Sequence, residues 1–217
     1  MEWNSLFFKM KNKKVLVIGS GEVGFRRAER FIDAESEVII AGNRLSEKLK
    51  QKGAILKQID LNNNDNNVLL NELKKLVDWA DLIVVASDNH ELNDEISLMA
   101  GDKLLNRADF PQKGNIIVPT KFNIGEIEIS IYTGGKSPLM AKELMKKISK
   151  LINTKDILQI ELQDYLRNIL KGKKLNQKER KEVLYEVFND INIKKLIEKE
   201  DIEEAKKYIL MKVDFEN

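Results

Sequence analysis

The sequence predicts an α/β protein built on a doubly wound parallel sheet, followed by a small α+β region and a C-terminal helical domain. Three observations carry that expectation. Val15-Leu16-Val17-Ile18 and Asp81-Leu-Ile-Val-Val-Ala86 are unbroken apolar runs rich in β-branched residues, as parallel strands buried on both faces require. Apolar runs alternate with helical patterns through the first half of the chain. Gly19, Gly21 and Gly24 stand directly between the first run and a helical pattern, spaced G-x-G-x-x-G, which is the turn of a Rossmann-type sheet.

Each glycine has a separate task in such a turn. Gly19 permits the tight exit from the strand, Gly21 leaves room for a pyrophosphate, and Gly24 lets the helix lie close to the strand. The unpaired N–H groups and the dipole of the helix start then face the phosphates. The first helix runs to Asp33 or Ala34, and Val38-Ile39-Ile40-Ala41 is the second strand. Ser46 caps a short helix that stops at Gly53, and residues 54–59 form a third strand. Residues 61–67 are an asparagine-rich solvated loop, and 68–79 an amphipathic helix. The fourth strand, 81–86, is followed by a helix over 90–100 and a fifth strand over 103–106. The lead segment brings Leu6, Phe7 and Phe8, which are expected to pack on the domain.

The pattern then changes. Residues 115–120 and 126–132 read as an antiparallel pair of strands around a turn at Asn123-Ile-Gly125. Gly134-Gly135-Lys136-Ser137-Pro138 ends the pair and starts a helix, with Ser137 as cap and Pro138 in the first helical position. Beyond Thr154 the chain reads helical, over 156–170, 177–188 and 201–213. The expected division is therefore 1–113, 114–152 and 153–217.

Composition narrows the function classes. The net charge is +2, from 37 basic and 35 acidic residues, so nothing points to nucleic acid or an anionic membrane. Without cysteine there are no disulfides and no thiol chemistry, and one histidine gives no basis for a structural zinc site. No stretch reads as a signal peptide or a membrane span, so the expectation is a cytoplasmic protein with no metal.

The candidate site residues follow the strand ends, where ligands of open α/β sheets bind. The dinucleotide pattern asks for a carboxylate after the second strand. Here Gly42-Asn43-Arg44 stands instead, with Asn43 able to bind a ribose hydroxyl and Arg44 able to stack on adenine or meet a phosphate, which leaves NADP open beside NAD. Ser87 and Asp88 follow the fourth strand, placed to touch the nicotinamide side, the alternative being that Asp88 or Asn89 caps the next helix. Asp109 follows the fifth strand beside Phe110 and Pro111. It is either a turn residue or a partly desolvated carboxylate with a raised pKa, suited to general-base work. His90, the only histidine, reads as a surface or capping residue at a helix start. Lys121, Lys136 and the glycine-rich turn are either an anion-binding mouth or a solvated, capped helix start.

Four segments together resemble the precorrin-2 dehydrogenase family, which includes the N-terminal module of siroheme synthases. They are VLVIGSGEVGFRRAERF (Val15 to Phe31), DLIVVASDNHELND (Asp81 to Asp94), LLNRADFP (Leu104 to Pro111) and IEISIYTGGKSPLMAKELMKKI (Ile127 to Ile148). The family carries G-G-G-x-V-A, A-T-D-D with a downstream N, N-V-x-D and S-T-x-G-x-S-P-x-x-A in this order. Ser20, Gly24, Arg27 and Arg107 depart mildly from it, and the resemblance spans about residues 1–152.

The resemblance implies NAD-dependent oxidation of precorrin-2 to sirohydrochlorin by a homodimer, with the region 114–152 serving dimerisation. It also implies that Glu22, Val23, Asn43 and Arg44 join the glycines at the cofactor and that Asp109 is the catalytic residue. The carboxylates of the substrate make Arg107, Lys121, Lys136 and Ser137 candidate tethers. Some relatives also insert iron, which makes a bifunctional dehydrogenase and ferrochelatase one alternative. A non-enzymatic NAD-sensing domain is another, disfavoured by the missing carboxylate after the second strand and by the GGKSP turn.

Overall fold

The structure, a computed structural model, describes residues 3–62 and 66–214. It divides into two compact units, Met1–Val118 and Pro119–Asn217.

The first unit is a parallel five-stranded sheet in the order β3-β2-β1-β4-β5. The strands are β1 (Lys14–Ile18), β2 (Glu37–Gly42), β3 (Ile55–Gln58), β4 (Leu82–Val85) and β5 (Leu104–Arg107). Between them run α1 (Glu22–Asp33), α2 (Glu47–Gln51), α3 (Asn66–Trp79) and α4 (His90–Ala100). β1 pairs with β2 on one side and with β4 on the other, so the strand order reverses at β1. That reversal opens a crevice at the carboxyl ends of β1 and β4, where ligands of doubly wound sheets settle.

Alternate residues of the central strands feed two cores. Leu16, Ile18, Ile83 and Val85 face Leu69, Leu73, Leu92 and Ile96 of α3 and α4. Val15, Val17, Ile40 and Val84 face Ala28 and Phe31 of α1 and Leu49 of α2. The apolar runs are continuous because both faces of the sheet are covered. Ser46 accepts a hydrogen bond from the Leu49 N–H, as its capping role requires.

Three expectations need correction or lie out of reach. Residues 115–118 are not a strand. A 3-10 turn over Pro111–Lys113 leads into an irregular segment tied to β5 by side chains. Asn115 Oδ1 accepts from the Leu105 N–H (2.7 Å), and Asn106 Nδ2 donates to the Ile116 carbonyl (3.0 Å). Ile116 and Val118 still pack on the α1 side of the sheet, which explains their apolar character without a ladder. Leu6, Phe7 and Phe8 are exposed, and the lead segment touches the core through Met10. Positions 63–65 of the asparagine-rich loop lie outside the described residues.

In the second unit β6 (Thr120–Ile124) pairs antiparallel with β7 (Ile127–Ile131), Phe122 standing opposite Ile129. The turn is Gly125-Glu126, so the first strand lies later in the chain than its apolar run indicates. α5 (Pro138–Leu151) packs on this hairpin and is capped by Ser137, whose Oγ accepts from the Met140 N–H (3.1 Å). Four helices follow: α6 (Thr154–Lys171), α7 (Gln177–Asn189), α8 (Ile191–Glu198) and α9 (Ile202–Asp214). They share a core of Leu162, Leu166, Val187, Ile193, Ile197 and Ile209. α8 is absent from the sequence reading because its eight residues give too few turns for a clear period. Among the described residues no helix is long and apolar enough to cross a membrane.

Candidate active site

The crevice between β1 and β4 is a cleft of about 510 Å³. The loop after β1 contributes Gly19 to Val23, the end of β2 contributes Gly42 to Arg44, and the loop after β4 contributes Ala86 to Asn89. Leu61 and Asn62 complete the wall. Of the residues expected at the cofactor, Gly19, Gly21, Glu22, Val23, Asn43, Arg44, Ser87 and Asp88 all line this space. Gly24 lies beneath it, because a Cβ there would come within 2.1 Å of the Gly19 carbonyl oxygen. Gly19 has φ +111° and faces the Ala86 carbonyl, so a side chain is excluded on both counts.

The donor set suits a dinucleotide phosphate. Gly21 is the N-cap of α1 and no side chain caps that helix, so its first N–H groups have no side-chain acceptor. A Cβ on Gly21 would meet nothing within 4 Å, so the space above it is open to a ligand. The end of β2 is held to the glycine loop by Ser20. Its Oγ accepts from the Asn43 N–H (3.1 Å) and its carbonyl accepts from Arg44 Nε (3.1 Å). Arg44 also lies over the Phe25 ring at 5.8 Å.

A charged network adjoins the cleft at the carboxyl ends of β4 and β5. Arg107 has a side chain only 1% exposed, beside Asp109 at 10%. Arg107 Nε donates to Asp109 Oδ1 (2.8 Å) and Nη2 to Oδ2 (2.7 Å). Its Nη1 donates to Asp94 Oδ1 (2.7 Å) and Ser97 Oγ (2.8 Å). Asn93, fully buried on α4, donates from Nδ2 to Asp109 Oδ2 (3.0 Å) and to the Ser87 carbonyl (2.9 Å), while Ser87 Oγ donates to Asn93 Oδ1. His90 Nδ1 lies 3.3 Å from Asp109 Oδ2.

Burial pushes the Asp109 carboxyl up. Arg107, Asn93, the Phe110 N–H and His90 together outweigh that and hold it well below the usual carboxylate range. The expectation of a raised value is therefore reversed, because the cation beside Asp109 is supplied by the same strand. Arg107 itself is raised above its ordinary value, chiefly by its bond to Asp109.

Comparison with known proteins places this arrangement. The family of putative NAD(P)-binding domains matches residues 6–120. The precorrin-2 dehydrogenase of Methanosarcina barkeri is 32% identical over 189 residues, covering 84% of this chain and 81% of that protein. The putative precorrin-2 dehydrogenase of Methanocaldococcus jannaschii is 33% identical over 201 residues, covering 89% of this chain and 96% of that protein. The chain belongs to the precorrin-2 dehydrogenase family. The solved precorrin-2 dehydrogenase SirC shares the fold, with a TM-score of 0.71 over 96% of this chain and 100% of its own at 20% identity.

In this family member one expected tether, Arg107, is turned away from solvent. Arg107 does not present itself to a substrate carboxylate, since it is buried and its donors are spent on Asp109, Asp94 and Ser97. Lys121 lies on β6 in the second unit with Glu128 Oε1 at 3.2 Å, Lys136 lies in the turn before α5, and Ser137 caps that helix. Ser20, Asn93 and Asp94 join the site although the sequence marks none of them as a candidate site residue. Asn93 falls on the downstream asparagine of the family's second motif, and Ser20 stands where the family's glycine loop carries its second Gly. Among the described residues no group of three or more His, Cys, Asp or Glu is placed to hold a metal ion.

Proposed function

We propose that this protein oxidises precorrin-2 to sirohydrochlorin, with Asp109 required for removal of the proton. The observation that carries the reading is the placement of Asp109, anchored by Arg107 and Asn93 at the end of β5, beside the cleft that the glycine loop lines. The reaction takes one hydride and one proton from the substrate. NAD⁺, when bound, supplies the hydride acceptor. The α1 N-terminus and the glycine loop hold the phosphates. Asn43 and Arg44 hold the adenosine end, and Ser87 and Asp88 face the nicotinamide end. Asp109 keeps a fixed negative charge where the proton must leave, and the Arg107 and Asn93 bonds stop it from turning away.

Lys121 and Lys136 are the proposed partners of the substrate carboxylates. Ser137 contributes by holding the start of α5. The protein works as a cytoplasmic homodimer in this reading. In support, Leu139 and Leu151 of α5 are 69% and 75% exposed. Sedimentation at micromolar concentration tests the dimer.

The enzyme claim is tested by an anaerobic assay of the purified chain with precorrin-2 and NAD⁺, followed by absorbance. Formation of sirohydrochlorin and NADH by wild type, lost in Asp109→Ala, is the expected result. Wild-type protein that binds NAD⁺ but leaves precorrin-2 untouched refutes the reading.

A further inference from the structure

We propose that Nε2 of His90 is the atom that receives the proton, and that Asp109 acts as the residue positioning its ring. The inference rests on the dehydrogenase reading above and assigns the proton-accepting atom within it.

His90 opens α4 immediately after Ala86 to Asn89, the four residues that the loop after β4 gives to the cleft. β5 lies next to β4, and Val85 is in register with Arg107. The ends of these two strands therefore bring His90 and Asp109 together at the rim of the cleft, although they are 19 positions apart. His90 is 67% exposed, whereas Asp109 is 10% exposed and lies behind it. A substrate at the rim meets the imidazole before the carboxylate.

Asp109 Oδ1 accepts from Arg107 Nε, and Oδ2 accepts from Arg107 Nη2 and Asn93 Nδ2. Adding a proton to that carboxylate would undo a bidentate pair with a buried guanidinium, so Asp109 is a poor acceptor despite its charge. An ionised carboxylate can only accept hydrogen bonds, so at the Asp109 contact the His90 Nδ1 must carry the hydrogen and donate it. Nε2 of the neutral ring then keeps its lone pair. Imidazole is the side chain suited to taking and releasing protons near neutral pH.

Phe110 meets His90 edge-on, with centroids 6.0 Å apart and planes at 72°. The charged groups around the ring are Asp109 with Arg107 behind it, Lys113 above the Phe110 ring at 5.7 Å, and Asp88 and Glu91 close by along the chain. The ring is thus held from two sides, by a carboxylate at Nδ1 and an aromatic edge.

His90 is the only histidine in the chain, so its imidazole can be read without assignment. Imidazole ¹⁵N spectra of the wild-type chain should show the neutral ring protonated at Nδ1, and Asp109→Asn should shift the tautomer toward Nε2–H. In the anaerobic precorrin-2 assay, His90→Gln should lower kcat by roughly a hundredfold while NAD⁺ binding measured by calorimetry stays unchanged. The fall in kcat at acid pH should vanish in that variant, and added imidazole should restore part of the rate of His90→Ala. A wild-type ring protonated at Nε2, or a His90→Gln protein with the wild-type kcat and pH profile, overturns the inference and leaves the dehydrogenase reading standing. Wild-type protein that forms no NADH overturns the dehydrogenase reading, and this inference with it, before any variant is compared.

Discussion

Arg107 and Asp109 stand two positions apart at the end of β5 and make a two-point contact, Nε to Oδ1 at 2.8 Å and Nη2 to Oδ2 at 2.7 Å. The remaining guanidinium nitrogen reaches α4 at Asp94 and Ser97, so one buried cation ties the strand end to the helix beside it. The family motif places Val at this position, and the arginine here takes on a bond network that valine cannot make.

Arg107→Met should therefore be destabilising. It removes the partner of Asp109 while leaving the carboxylate in place, and breaking a buried pair from one side costs about 3–5 kcal/mol. Urea unfolding followed by circular dichroism measures it. The double variant Arg107→Met/Asp109→Asn should recover part of the loss, because no unpaired charge then remains.

Acid pH should weaken the fold through the same pair. The folded Asp109 carboxyl titrates well below its unfolded value of about 3.9, held there against burial by Arg107, Asn93, the Phe110 N–H and His90. Below the unfolded value the unfolded chain binds more protons, so stability rises with pH across that window. The contribution of Asp109 is complete at neutral pH, begins to fade as the unfolded value is approached, and goes on falling toward the folded one. The urea midpoint of wild type should drop more steeply than that of Asp109→Asn between about pH 6 and pH 3.

Two glycines of the same loop should separate binding from folding. Gly21→Ala puts a methyl into open space, so thermal stability should hardly change while NAD⁺ affinity falls. Gly24→Ala drives a methyl to 2.1 Å from the Gly19 carbonyl, so the protein should lose stability before cofactor is considered. Differential scanning calorimetry with and without NAD⁺ distinguishes the two.

Lys103 offers a test remote from the cleft. Its ammonium donates to the Val77, Asp78 and Ala80 carbonyls at 2.8, 2.8 and 2.7 Å, satisfying the end of α3. Lys103→Met keeps the aliphatic stem and removes the three bonds, and should cost about 2 kcal/mol with no change in NAD⁺ binding. Chemical denaturation gives the first quantity and calorimetric titration the second.

Much of this was legible along the chain. Burial on both faces leaves a parallel strand no polar positions, so β1 and β4 announce themselves as apolar runs. The G-x-G-x-x-G spacing is local stereochemistry, and Gly19 to Val23 line the cleft. The segment 115–118 misled because Ile116 and Val118 pack, partly buried, against the sheet without pairing as a strand, and hydropathy does not distinguish those two outcomes.

The sequence by itself determined the strand order's raw material, the glycine-rich turn after β1 and the helix caps, because each depends on neighbours within a few residues. Tertiary structure alone decided the chemistry of Asp109. Its partners Arg107, Asn93 and His90 come from β5 and α4, and their hydrogen bonds converge only once β4 and β5 lie side by side. A carboxylate's charge state depends on what surrounds it in space, and that environment exists only in the folded chain.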